Sequence, residues 1–179
     1  MSVAEGTDPS ARLRELLAPV LSKVAELDPA SRTSADQVGE LERELEAAFP
    51  FEGEHLQAIG AEISRGVDEG WLCNRGEASA RFCRLAKPTP DTHDLSVDVV
   101  SLIGPAIEHT HTHGEVTIGY RASDAQANDD AESGGSSVFD GRPEGWVFLP
   151  PGSRHVPTVT GHRMNLVYFL PGGAVEWHT

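Results

Sequence analysis

Three histidines and a glutamate fall on alternate residues in one short run, at His109, His111, His113 and Glu115. In an extended strand, side chains two residues apart point to the same face, so these four groups could converge on one point. Imidazole nitrogens suit zinc, copper, iron and nickel, and a carboxylate extends the choice toward manganese. The run therefore predicts a metal site, and three ligands with an open position would make it catalytic. A solvated strand face or an incidental metal-binding tract would show the same alternation.

A second segment supplies a further candidate ligand. The sequence GWVFLPPGSRH, which ends at His155, indicates a buried strand, a proline and glycine turn, and a histidine just after the turn. A histidine in this position can come from a neighbouring strand and complete a metal shell that the first run begins.

The elements that must position these residues are predicted to be short strands. Residues 71–179 carry short apolar runs separated by prolines and glycines, and seven to nine strands divided by turns predict an all-β sandwich or barrel. Residues 123–137 are acidic, rich in glycine and serine and poor in apolar residues, which predicts a mobile surface loop. The predicted strands cover residues 71–74, 80–86, 95–103, 115–120, 145–149, 155–159 and 164–170.

Three amphipathic helices are predicted before the strands. Apolar residues recur at helical spacing over 11–27, where Pro19 should kink or divide the helix. A capping box that begins at Ser34 starts a second helix over about 35–48, and a third pattern covers about 56–70.

The length of 179 residues fits one compact domain with an appended helical segment. We place the helical segment at residues 1–70 and the β-barrel at residues 71–179. The amphipathic pattern does not distinguish helices that cap the barrel, cover a pocket or form a dimer interface. We expect a homodimer.

Composition limits the classes of partner. The 14 basic and 28 acidic residues give a formal charge of −14, which repels phosphate backbones and anionic membrane surfaces, so we expect no nucleic-acid or membrane partner. We expect a cytoplasmic protein, because the sequence shows neither a signal peptide nor an apolar run near the roughly 18 residues of a membrane helix. Cys73 and Cys83 are too few for a disulfide framework, and we expect both to be small apolar strand residues.

The two candidate segments resemble the motifs of the cupin superfamily, G(x)5HxH(x)3-4E(x)6G and G(x)5PxGxxH(x)3N. The matching residues are His109, His111 and Glu115 in the first motif and Pro150, Gly152 and His155 in the second. Glycine spacing departs from the pattern at Gly104, Gly119 and Gly145, and Val159 occupies the asparagine position. The resemblance implies a mainly β cupin double-stranded β-helix, or jelly-roll barrel, with an N-terminal helical segment. It also implies a divalent transition metal, whether iron, manganese, zinc or nickel, held by His109, His111, Glu115 and His155. The alternation alone equally admits His113 in place of His109 or Glu115.

Longer stretches narrow the resemblance. The segments EHTHTHGEV, FDGRPEGWVFLPPGSRHVPTV and MNLVYFLPGGAVEWH, after a helical N-terminus, are similar to the 4-hydroxylaminobenzoate lyase family. Members of that type convert 4-hydroxylaminobenzoate into 3,4-dihydroxybenzoate with release of ammonia during bacterial nitroaromatic breakdown. The resemblance therefore implies a lyase that acts on this compound or a related small aromatic. Fold alone also admits a metal-dependent cupin dioxygenase or a non-catalytic small-molecule-binding cupin.

The lyase reaction assigns roles to particular residues. Proton transfer outside the metal shell falls to His113, or to Glu115 if it is not a ligand. An aromatic carboxylate needs a cation, for which Arg163 is preferred, and Tyr120 and Trp177 could form walls of an aromatic pocket. The other candidate cations are Arg154, Arg84 and Arg81.

Overall fold

The structure is a computed structural model that describes residues 6–127 and 136–178. Its α-helices are α1 Ala11–Leu27, α2 Ala35–Ala48, α3 Glu54–Glu69 and α4 Asp124–Ala127, and short 3-10 helices cover Pro29–Ser31 and Pro90–Thr92. The strands among the described residues are β1 Arg75–Glu77, β2 Ala80–Ala86, β3 Leu95–Pro105, β4 His109–His111, β5 Glu115–Arg121, β6 Val138–Phe139, β7 Gly145–Leu149, β8 Ser153–His155, β9 Thr158–Pro171 and β10 Glu176–Trp177. No helix in this part of the chain has both the length and the apolarity to cross a membrane.

Local sequence signals account for the helices. Ser34 caps α2 by accepting from the Gln37 amide, and the Gln37 side chain accepts from the Ser34 amide, which confirms the capping box. Pro19 lies inside α1 and does not divide it, so of the two predicted effects, a kink or a division, the division is wrong. An interior proline costs about 3 kcal/mol. The six buried apolar side chains of α1 recover about 1.5–3 kcal/mol each, which outweighs that cost.

The strands form two antiparallel sheets. Seven strands pair in the order β1-β2-β3-β9-β5-β7, with β6 added beside β9, and three pair in the order β10-β4-β8. These two antiparallel sheets and the helices that precede them confirm the predicted mainly β fold with an N-terminal helical segment.

Several boundaries differ from the predicted ones. Residues 71–73 are bends, with Cys73 at φ 52°, and the first strand begins only at Arg75. The predicted strand 155–159 is interrupted between β8 and β9, and the very short strands β4, β6 and β10 are too brief to show a period. The loop predicted at 123–137 contains α4, and its residues 128–135 lie outside the described residues.

Each face of the larger sheet packs against a different set of apolar residues. Val116, Ile118 and Tyr120 belong to a core cluster shared with α1, α2 and α3, so their side of the sheet is called the helix-facing face. The opposite, inner face carries a second cluster that includes Phe139, Met164, Leu166 and Tyr168. Because strand residues alternate between faces, Glu115 and Thr117 of β5 lie on the inner face.

Candidate metal centre

Four side chains converge at the inner face: His109, His111, Glu115 and His155, whose possible ligand atoms all lie within 4.8 Å of one another. The Nε2 atom of His111 is 2.9 Å from Nε2 of both His109 and His155, and these last two are 3.3 Å apart. Glu115 Oε2 is 2.8 Å from His111 Nε2. Three imidazole nitrogens and one carboxylate oxygen thus face a common point.

The histidines come from the smaller sheet and the glutamate from the larger one. His109 pairs directly with His155 across β4 and β8, whereas Glu115 is the first residue of β5. A turn joins these strands, in which Gly114 has φ 87° and its amide donates to the His111 carbonyl at 3.3 Å. The run from His109 to Glu115 therefore forms two strands rather than the single extended strand that was predicted. The turn between them, and not the alternation of side chains along one strand, brings Glu115 close to the histidines.

Contacts behind two of the imidazole rings determine which nitrogen faces the centre. His109 Nδ1 lies 2.9 Å from the Ile107 carbonyl, and His155 Nδ1 lies 2.6 Å from Asp140 Oδ2. Both of these oxygens are acceptors, so each Nδ1 carries the proton and each Nε2 presents a lone pair inward. Burial, and then the neighbouring His111, lowers the pKa of His109, which favours the neutral ring that binds metals.

The geometry and the chemistry of this cluster fit a divalent transition metal. Ligand atoms about 2.1 Å from an ion and roughly 90–110° apart stand about 3.0–3.4 Å from each other, close to the observed separations between imidazole nitrogens. The Glu115 side chain is only 2% exposed, and its Oε1 accepts a hydrogen bond from Thr117 Oγ1. A buried carboxylate costs several kcal/mol unless a cation compensates it. A bound cation would compensate the charge of the Glu115 carboxylate. It would also lie between the imidazole lone pairs that otherwise face one another.

Asp140 is a functional candidate that the sequence did not reveal. Besides its contact with His155, its Oδ1 accepts from the Thr158 amide at 2.8 Å, and its backbone has φ 49°. The Phe139-Asp140-Gly141 segment predicts a turn, but the contact with His155 across 15 residues is not visible in the local pattern.

Of the other site residues predicted from the sequence, some lie next to the metal centre and some do not. The Trp177 ring lies 5.0 Å from the His109 ring, and Trp177 pairs with His109 across β10 and β4. His113 is exposed in the turn after β4, where its Nδ1 is 3.0 Å from Thr112 Oγ1, and it does not join the four clustered groups.

Tyr120 and Arg163 lie on the opposite side of the sheet from the cluster. The Tyr120 hydroxyl donates to the Leu56 carbonyl of α3 at 2.8 Å. The buried Arg163 donates to the carbonyls of Ser101 and Ala78, at 3.2 and 2.7 Å. The other candidate cations with side-chain partners are Arg154, which pairs with Glu108, and Arg84, which pairs with Asp98.

Comparison with known proteins identifies similar sequences. The sequence model of the protein family described as PnbB, 4-hydroxylaminobenzoate lyase, matches residues 23–177 of this chain. A 4-hydroxylaminobenzoate lyase from Nocardioides sp. (strain LMS-CY) is 26% identical over 146 residues, which cover 77% of this chain and 81% of that protein. A protein of the same name from Pseudomonas putida is 25% identical over 151 residues, which cover 76% of this chain and 82% of that protein.

Solved structures show more distant similarity. An RmlC-like cupin protein from Ralstonia eutropha JMP134 has a TM-score of 0.39 at 12% identity, covering 56% of this chain and 60% of that chain. A salicylate 1,2-dioxygenase from Pseudaminobacter salicylatoxidans has a TM-score of 0.36 at 14% identity, covering 69% of this chain and 37% of that chain.

Proposed function

Because the chain belongs to the 4-hydroxylaminobenzoate lyase family, we propose that it is a metal-dependent lyase that converts 4-hydroxylaminobenzoate, or a related small aromatic hydroxylamine, into the corresponding catechol with release of ammonia. The observation that carries the proposal is the convergence of His109, His111, His155 and Glu115 in a chain whose relatives bear the name of this activity.

The proposed reaction balances without an external oxidant. 4-Hydroxylaminobenzoate and one water give 3,4-dihydroxybenzoate and ammonia. The N–O bond breaks, the ring gains an oxygen, and the C–N bond is replaced by a C–O bond. The oxidising equivalents come from the N–O bond itself, so no O₂ is consumed. Each of these steps moves protons, and the site must therefore contain groups that carry them.

We assign the metal to His109, His111, His155 and Glu115. A divalent transition metal held there would polarise a bound water or substrate oxygen and lower its pKa. The protein contributes orientation, because Ile107 and Asp140 fix the His109 and His155 rings from behind.

Of the two proton carriers predicted from the sequence, Glu115 lies in the cluster and His113 lies in an exposed turn. We therefore assign proton transfer to Glu115, whose carboxylate is also the candidate oxygen ligand. The Glu115 side chain is only 2% exposed, which favours transfer between fixed partners.

The Trp177 ring is 62% exposed and packs at the edge of the His109 ring. An aromatic side chain in this position can cover one face of a substrate ring at the mouth of the site. We propose that Trp177 is a wall of the substrate pocket.

The test is incubation of the metal-loaded protein with 4-hydroxylaminobenzoate, with ammonia and 3,4-dihydroxybenzoate measured together. We expect the two products in equal amounts and no oxygen uptake. Absence of both products would refute the substrate assignment. Oxygen uptake would indicate the dioxygenase alternative, and binding without turnover would indicate a binding protein.

A further inference from the structure

The two tyrosines of the chain lie on neighbouring strands and face opposite sides of the larger sheet. Tyr120 of β5 packs on the helix-facing side, and its hydroxyl donates to the Leu56 carbonyl. Tyr168 of β9 belongs to the inner cluster and is only 9% exposed. Its hydroxyl forms no hydrogen bond with any residue that the structure describes. The hydroxyl oxygen is not among the fully buried polar atoms that lack a partner, so it keeps some access to solvent and is available to a ligand.

Two chains of contacts connect Tyr168 to the metal centre. Along the sheet, Tyr168 pairs with Thr117, and the Thr117 hydroxyl donates to the Glu115 carboxylate. Through the inner cluster, the Tyr168 ring lies 6.3 Å from the Phe139 ring, which is 6.4 Å from the His155 ring. Tyr168 therefore lies on the same face as the metal centre. It is next to Thr117 of the larger sheet and is linked through Phe139 to His155 of the smaller sheet.

The surroundings of Tyr168 suit an aromatic ligand. The inner cluster around it is apolar and includes Leu102, Phe139, Met164 and Leu166. Small-molecule sites combine such apolar walls with a few placed polar groups that fix orientation. Burial, and then the charge of Glu115, raises the pKa of Tyr168, so the hydroxyl stays protonated and acts as a donor.

We propose that Tyr168 is a catalytic residue that donates a hydrogen bond to the oxygen substituent of an aromatic substrate held at the metal centre. The ligand class is a planar aromatic hydroxylamine or its catechol product, with its ring against the apolar inner cluster. This inference rests on the proposed function, since it assigns the substrate of that reaction to the inner face.

The test compares Tyr168→Phe with Tyr120→Phe, since each change removes one hydroxyl oxygen from a buried tyrosine. For Tyr168→Phe we expect unchanged metal content and a loss of roughly 10-fold in kcat/KM, because the substrate oxygen loses its donor in a water-poor site. For Tyr120→Phe we expect kcat/KM within about twofold of the wild type, and a lower melting temperature because the Leu56 carbonyl loses its partner.

An unchanged kcat/KM in Tyr168→Phe would overturn the proposal, as would a loss that simply follows a loss of bound metal. A second measurement separates this inference from the proposed function: the Kd of 3,4-dihydroxybenzoate for the metal-loaded protein. If the wild type shows no turnover, the proposed function fails. A roughly 10-fold weaker Kd in Tyr168→Phe alone would still support the subsite. An equal Kd in all three proteins would refute it.

Discussion

Asp140 fixes the orientation of His155 by accepting from its Nδ1 at 2.6 Å while accepting from the Thr158 amide with the other carboxylate oxygen. Both oxygens are engaged, so the carboxylate cannot turn without losing a hydrogen bond. The His155 ring is consequently held with Nε2 directed at His109 and His111. The turn after β6, fixed to the first residue of β9, thus positions a candidate ligand at the end of β8.

The Asp140→Asn variant should bind metal about 10–100-fold more weakly. Asparagine tolerates the left-handed backbone at this position, so the fold should be retained. It nevertheless lacks the charge and one of the two acceptor oxygens that hold His155 and the Thr158 amide. The measurement is metal titration against a competing chelator. Asp91→Asn, at an exposed carboxylate in the short 3-10 helix before β3, is the matched control, and equal affinities in the two variants would contradict the role of Asp140.

Paired histidine variants should separate the two ligand sets that the sequence allows. In His109→Ala, one of three converging Nε2 atoms is lost, and we expect metal content after dialysis to fall by at least about 10-fold. In His113→Ala, an exposed ring outside the cluster is lost, and we expect metal content and activity to remain near those of the wild type. Elemental analysis provides the comparison. Loss of metal in His113→Ala would show that the alternative set is used.

The fold class and the four clustered residues could be predicted from the sequence alone. The four residues could be predicted because the motif spacing that identifies them lies within two short segments. The same information could not show that Glu115 begins a new strand, since the turn depends on the conformation of Gly114. Nor could it identify Asp140, whose contact with His155 depends on how two turns pack.

The sequence also did not show which residues of the larger sheet lie on its inner face. Nearly every residue of β5 is buried, because helices cover one face and the inner cluster covers the other. Apolar and polar residues therefore do not alternate, and nothing in the pattern distinguishes the face of Tyr120 from that of Tyr168. The choice of Tyr120 as a pocket residue followed from aromatic type alone.

The Glu115→Gln variant should separate proton transfer from metal binding. Glutamine preserves the size of the side chain and can still accept from Thr117, while three histidines remain to hold metal. We expect the metal-saturated variant to lose about 10²–10⁴-fold in kcat, the usual contribution of a positioned acid or base. Rates are compared at saturating metal, so that weaker metal binding does not enter the result. A kcat close to that of the wild type would exclude proton transfer by Glu115.

Replacement of Gly114 should disturb the turn that carries Glu115 to the histidines. Gly114 has φ 87°, and a Cβ there would lie 3.2 Å from the Leu149 carbonyl oxygen and 3.3 Å from the Phe148 ring. Gly104 has a similar φ of 75°, but a Cβ there would meet nothing within 4 Å. Both alanine variants should therefore lose roughly 1–2 kcal/mol of unfolding free energy from the left-handed backbone.

The close contacts at Gly114 add a second cost that Gly104 does not share. We expect Gly114→Ala to be less stable than Gly104→Ala in urea unfolding and to bind less metal, because relief of the contacts shifts the start of β5 and with it Glu115. Metal content in Gly104→Ala should match the wild type. If the two variants lose equal stability and both keep their metal, the turn at Gly114 does not control the position of Glu115.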